Sequence, residues 1–294
     1  LYTVYTNTKV FKQQTLRDTF PASNTRFGKA TALSSDGLTA AVANTNNTVT
    51  VYTKSITSSI WIASYQLTPD LSISSASNLN FGAKLTFSPD GKWLAISATT
   101  ASNVNSSGLT QQGYVAVYNR RNNYELLTVL TSQSPAAYEL FGSSTVFSNT
   151  GVLAVSATGF DNGTGKVYFY KYTGSAWAIY ATPVSVGSAD VFGHSISLSA
   201  DALTFVVSAP RKASDTGAVY IYRLVSNQYV LNQTIDSSNT TLADGDQLGY
   251  SVAISPTGSY IAVGVPFTSS TDNGKVLVFV PGVSGYVLYD TLVS

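Results

Sequence analysis

The stretch FGAKLTFSPDGKWLAIS, Phe81 to Ser97, decides the fold. Apolar residues alternate from Phe81 to Phe87, Ser-Pro-Asp-Gly supplies a tight turn, and an apolar run from Trp93 heads back. That is a strand, a hairpin turn and a second strand. The same unit starts at Phe27 (FGKATALSSDG), Phe141 (FGSSTVFSNTG), Phe192 (FGHSISLSADA) and Leu248 (LGYSVAISPTG), at intervals of roughly 50 to 60 residues. Outward from each hairpin the order is constant. A polar loop leads to a third strand (TVTVY, GYVAVY, GKVYFY, GAVYIY, GKVLVF). A fourth strand then opens on an aromatic residue: Trp61, Tyr124, Trp177, Tyr229 or Tyr286.

Four short strands per repeat argue one antiparallel sheet per repeat. Many of the strands are apolar on both faces, which suits sheets packed against neighbours on both sides. The pattern predicts an all-β chain, a β-propeller of four-stranded antiparallel blades. LYTVYT and VFKQQTL near the N-terminus match a third and a fourth strand. Residues 1–20 therefore read as a half-blade, followed by five full blades starting near 27, 81, 141, 192 and 248, in one domain over 1–294. Residues beyond Ser294 would complete a six-bladed ring, further blades a seven-bladed one; alternatively a neighbouring subunit lends the strands. A chain without methionine reads as a processed product or as part of a longer one.

Composition narrows the function classes. Net charge is +1 and charged residues are 11% of the chain, about half the usual share. Such a balance leaves no electrostatic footprint for nucleic acid. Cysteine is absent, which removes disulfides and thiolate metal sites. No apolar run approaches the ~20 residues of a membrane-spanning helix.

The Phe-Gly openings, the Ser208-Ala209-Pro210 and Gly264-Val265-Pro266 strand ends, and the Gly-x-Val-Tyr third strands together resemble the FG-GAP repeat propellers, of which integrin α-subunit heads are members. The resemblance covers essentially the whole chain. The integrin repeats carry Asp-x-Asp-x-Asp-Gly calcium loops between their first two strands; none of the five turns here does. What the resemblance implies is the fold and an extracellular binding or structural role.

The candidate chemistry is sparse. Asp36, Asp90 and Asp201 stand alone in their turns, whereas a calcium cage needs about 6–8 oxygens. Asp-Gly there reads as a type I′ hairpin turn with both central residues at positive φ. Asp244 and Asp246 form the densest acidic pair, and Asp161, Asp215 and Asp272 precede third strands as turn residues. His194, the only histidine, occupies the slot after Phe-Gly that holds Lys29, Ala83, Ser143 and Tyr250 in the other repeats. Glu125 and Glu139 are the only glutamates and make no recognisable pair, so the chain is expected not to be an enzyme, and no metal, cofactor or catalytic residue is assigned. The recurrent aromatics read as packing between blades; Trp93 follows the turn in one repeat alone, as an exposed anchor or as core.

N-glycosylation sequons occur at Asn46, Asn105, Asn162, Asn232 and Asn239. The first three fall in loops between second and third strands, and Asn239 between a fourth strand and the next first strand; both loop types emerge at one end of a ring. Asn232 lies inside an expected strand and is the weakest candidate. That end also gathers most acids, and the other end collects Lys9, Lys54, Lys92, Arg120, Arg121, Lys171 and Arg223, an asymmetry that favours head-to-tail stacking. The expectation is a non-enzymatic extracellular or cell-surface propeller, structural or adhesive, with protein partners or self-assembly. The alternative is a propeller that binds a glycan or protein ligand, and a polysaccharide-acting enzyme comes last.

Overall fold

The computed structural model describes residues 14–18, 25–74, 78–187, 190–238, 240–267 and 274–293. They form five four-stranded antiparallel sheets, each a meander in chain order. The first is β1 (Ala30–Leu33), β2 (Thr39–Ala43), β3 (Val49–Thr53) and β4 (Ile62–Leu67). The second is β5 (Phe81–Phe87), β6 (Trp93–Ala98), β7 (Tyr114–Asn119) and β8 (Glu125–Leu130). The third is β9 (Phe141–Phe147), β10 (Val152–Ala157), β11 (Lys166–Tyr172) and β12 (Trp177–Val184). The fourth is β13 (Ile196–Leu198), β14 (Thr204–Ala209), β15 (Ala218–Val225) and β16 (Gln228–Ile235). The fifth is β17 (Ser251–Ile254), β18 (Ile261–Val265), β19 (Lys275–Gly282) and β20 (Gly285–Val293). No helix among the described residues is long and apolar enough to cross a membrane. Of the expected N-terminal half-blade, only residues 14–18 lie within the described residues.

The sheets repeat in detail. Third and fourth strands slip register at one shared place, between Val51 and Tyr52, Val117 and Tyr118, Phe169 and Tyr170, Ile221 and Tyr222, and Val278 and Phe279. A bulge there raises the local twist in all five sheets alike. The hairpin turns differ from the type I′ expectation. Gly37 and Gly91 take φ of +67° and +66°, but Asp36 and Asp90 stay outside the left-handed region. The chain instead closes a longer turn, with Gly37 N–H donating to the Ser34 carbonyl and Gly91 N–H to that of Ser88, both at 2.9 Å. A carboxylate side chain then tightens the loop: Asp90 Oδ1 accepts from Ser88 Oγ at 2.6 Å and from Lys92 N–H at 3.0 Å. In the fourth sheet Ala202 fills the glycine position at φ +61°.

Consecutive sheets meet along their first strands, β1 with β5, β5 with β9, β9 with β13 and β13 with β17. Four apolar slabs, one between each consecutive pair, make up the core. The seams share a design at the Phe-Gly glycine. The glycine of Phe-Gly (Leu-Gly in the fifth sheet) lies on a small residue of the preceding sheet: Gly82 on Ala43, Gly142 on Ser97, Gly193 on Ser156 and Gly249 on Ser208. A Cβ on any of these glycines would fall 2.6–2.9 Å from that residue's Cβ. In the last three seams a second glycine, opening a third strand, carries the incoming backbone; in the first, Phe81 N–H donates to Asn47 Oδ1 at 3.0 Å. Gly113 bridges Phe141, Gly217 bridges Leu248, and a Cβ on Gly165 would sit 2.0 Å from the Phe192 carbonyl oxygen. The Phe-Gly repeat thus marks places where two backbones touch. The residue before it is left-handed in every repeat: Arg26, Asn80, Leu140, Val191 and Gln247, at φ from +41° to +59°.

Candidate functional site

The slot after Phe-Gly is where side chains from successive sheets converge. His194 and Tyr250 meet there with ring centroids 5.1 Å apart. Ser143 Oγ lies 2.8 Å from Thr158 Oγ1 and donates to the Leu140 carbonyl at 2.7 Å. Beside them is a cavity of about 460 Å³ lined by Thr158, Val191, His194, Arg211, Gln247 and Tyr250 among others. The left-handed residues before Phe-Gly, Leu140, Val191 and Gln247, form part of its wall, so seam geometry shapes the cavity. Burial and the positive charges of Lys84 and Arg211 lower the His194 pKa. A neutral imidazole in a positive field suits hydrogen bonding to a polar or anionic ligand group. The described lining holds no carboxylate.

The carboxylates serve the scaffold. Glu139 is fully buried. Its Oε2 accepts from Ser132 Oγ at 2.7 Å and from Ala136 N–H at 3.1 Å, and its Oε1 accepts from Tyr168 OH at 2.9 Å. Burial raises its pKa, against the pull of those hydrogen bonds and of Lys166. Asp246, also buried, accepts from Ala243 N–H at 3.1 Å, and Asp244 accepts from Thr216 Oγ1 at 3.2 Å. Glu139 and Asp246 each stand two residues before Phe-Gly or Leu-Gly, as does Asp190; that shared offset was the available signal. Glu125 is on β8, where it accepts from Asn122, far in sequence and role from Glu139. Among the described residues no three His, Asp or Glu side chains gather into a metal-binding group; Asp272 lies outside them.

One recurrent polar residue escaped the sequence reading. The serine that begins every turn, Ser34, Ser88, Ser148, Ser199 or Ser255, accepts from the backbone N–H at the start of the second strand or, in the fifth sheet, just before it. The distances are 3.0 Å from Thr39, 2.8 Å from Trp93, 3.0 Å from Val152, 2.9 Å from Thr204 and 3.0 Å from Tyr260. The aromatic openers pack between sheets: Tyr229 stacks on Phe169 of the third sheet at 4.2 Å, and Tyr65 meets Tyr124 at 4.8 Å. Trp93 is core. It sits among Tyr172 and Trp177, with the Lys92 ammonium 4.4 Å from its ring.

Asn46 is exposed between β2 and β3. Asn105 is exposed in the short turn Val104–Ser106, and Asn162 in the turn Phe160–Gly163; both have positive φ. Asn232 is exposed on β16 at the bulge. Asn239 lies outside the described residues. No family model and no curated protein matches this chain.

Proposed function

We infer that the chain is a β-propeller of FG-GAP type, acting outside the cell or on its surface as a structural or adhesive module rather than as an enzyme. The observation that carries this reading is the seam. Four sheet pairs are joined by one repeated design, the Phe-Gly or Leu-Gly glycine set on a small residue of the preceding sheet, which fits the radial repetition of a propeller. The exposed Asn46, Asn105 and Asn162 suit secretion, where they would carry glycans. Immunogold labelling of the producing cells with an antibody to this chain tests the reading. Label on the outer surface or on external filaments is expected; label confined to the cytosol refutes it.

A second reading, ligand recognition, is favoured by the cavity at His194 and Tyr250. Its positive field selects a ligand with an acidic group, such as a uronic-acid glycan. A His194→Ala variant that keeps full affinity for such a glycan would exclude this cavity as the site.

A further inference from the structure

The third sheet departs from the other four at the end of β12. Elsewhere the third and fourth strands slip register once, at the shared bulge. Here they slip twice. Phe169 pairs with Ala181 but Val167 with Val184, so β12 carries an extra residue between Ala181 and Val184. Pro183 lies in that interval. It has no N–H to give to a ladder, and within a sheet such a residue belongs at a bulge. Between this bulged end and the fourth sheet is a cavity of about 600 Å³, with Pro183, Ser185 and Val186 on one wall and Lys212, Tyr220 and Tyr222 on the other.

The register shows what the bulge leaves undone. In the seam before this one, Tyr170 OH donates to the Thr131 carbonyl at 2.7 Å. Tyr222 pairs with Phe205 as Tyr170 pairs with Leu153, so the two tyrosines hold the same place. Thr131 follows Leu130, the partner of Val115; its counterpart is Ser185, which follows Val184, the partner of Val167. Yet among the described residues none accepts from the Tyr222 hydroxyl, although Tyr222 is only 5% exposed and lines the cavity. The other polar groups of the wall are engaged. Lys212 Nζ lies 3.6 Å from Asp236 Oδ2, which balances its charge. Ser185 Oγ donates to the Gly165 carbonyl at 2.6 Å, and Tyr229 OH to the Ala202 carbonyl at 2.8 Å, so each keeps only the capacity to accept. Pro183, Val186 and Leu231 add apolar surface.

We propose that this cavity binds a neutral saccharide, held by a hydrogen bond to the Tyr222 hydroxyl. A ligand here needs no net charge, because the Lys212–Asp236 pair is already neutral. It needs hydroxyls that donate to Ser185 and Tyr229 and exchange with Tyr222, and an apolar side to lie against Pro183 and Val186. A sugar ring has both, with hydroxyls on its rim and C–H groups on its faces. The volume is within the roughly 300–1,000 Å³ of small-molecule sites. This cavity is separate from the one at His194, whose field is positive. The proposal uses the seam between the third and fourth sheets alone, so it depends neither on ring closure nor on the His194 reading.

The test is saturation-transfer NMR of the full chain with maltotriose, mannotriose and galactotriose, followed by calorimetric titration of those that bind. At least one should bind at millimolar concentration. Tyr222→Phe keeps the ring and its packing; it should leave the thermal midpoint unchanged and weaken binding about two- to tenfold, the worth of one hydrogen bond. Deleting Pro183 removes the extra residue and should abolish binding; if that variant does not fold, Tyr222→Phe decides alone. His194→Ala should leave the affinity unchanged, and trigalacturonate should not compete. No binding by any of the three means that the cavity holds water alone. Full affinity in Tyr222→Phe places the sugar elsewhere, and loss of affinity in His194→Ala or competition by trigalacturonate places it in the His194 cavity. Each of these results overturns the proposal.

Discussion

Gly151 and Gly165 provide a matched pair for weighing the seam. Both are left-handed, at φ +80° and +78°. A Cβ on Gly151, in the third-sheet turn, would have nothing within 4 Å. A Cβ on Gly165 would lie 2.0 Å from the Phe192 carbonyl oxygen and 2.8 Å from its N and C atoms. Left-handed backbone costs an alanine about 1–2 kcal/mol, so Gly151→Ala should lose about that. Gly165→Ala carries the same strain and must also widen the seam by more than ~1 Å to reach the roughly 3.3 Å of a close C···O contact. That movement unseats Phe192, whose burial is worth about 1.5–3 kcal/mol. It also stretches the 2.9 Å bond from Val191 N–H to the Gly163 carbonyl, worth about 0.5–1.5 kcal/mol. The expected loss for Gly165→Ala is about 3–6 kcal/mol. Urea unfolding of the wild type and both variants, followed by tryptophan fluorescence, measures the difference. Equal losses within about 0.5 kcal/mol would refute the claim that backbone contact holds the sheets together.

Ser88→Ala leaves the buried Trp93 N–H without its acceptor and should cost about 1–3 kcal/mol, read from a shifted thermal midpoint. Glu139→Ala strands the Tyr168 and Ser132 hydroxyls and the Ala136 N–H and should be strongly destabilising. Glu139→Gln keeps the shape without the buried charge and should be milder in the same melt; the reverse order would contradict the bracing role. Asp36 titrates near 2: burial raises its pKa, but hydrogen bonds from Ser34, Leu38 and Arg120, with the Arg120 charge, outweigh that. Its folded pKa is depressed, so its contribution is present above about pH 4 and fades as pH falls towards 2. An NMR midpoint near the ordinary carboxylate value would contradict this. Expressed in a secreting eukaryotic host, the chain should lose gel mobility shifts with Asn46→Gln, Asn105→Gln or Asn162→Gln and none with Asn232→Gln.

The sheets were legible because every strand carries its signature locally: a Phe-Gly opening, a Gly-containing turn in four repeats, an aromatic opener. The turn type was misjudged because Asp-Gly serves both the two-residue and the longer turn. The choice between them falls to the buried serine two positions before the Asp. The left-handed residue before Phe-Gly was invisible, since Arg26, Asn80, Leu140, Val191 and Gln247 share no chemistry; the following seam imposes their backbone, not their own preference. Val191 is the costliest, being β-branched. The His194 slot could be aligned from sequence, but its contact with Tyr250 could not, because it joins two sheets.

The seams after the second, third and fourth sheets are each made of two glycines and a small residue, so their backbone outline is shared. Excising Phe141 to Val191, one whole repeat, would bring Phe192 and Gly193 onto Gly113, Ser97 and Val115, which already hold Phe141 and Gly142. The middle repeats therefore form interchangeable parts, and loss or gain of one of them needs no new joint to evolve.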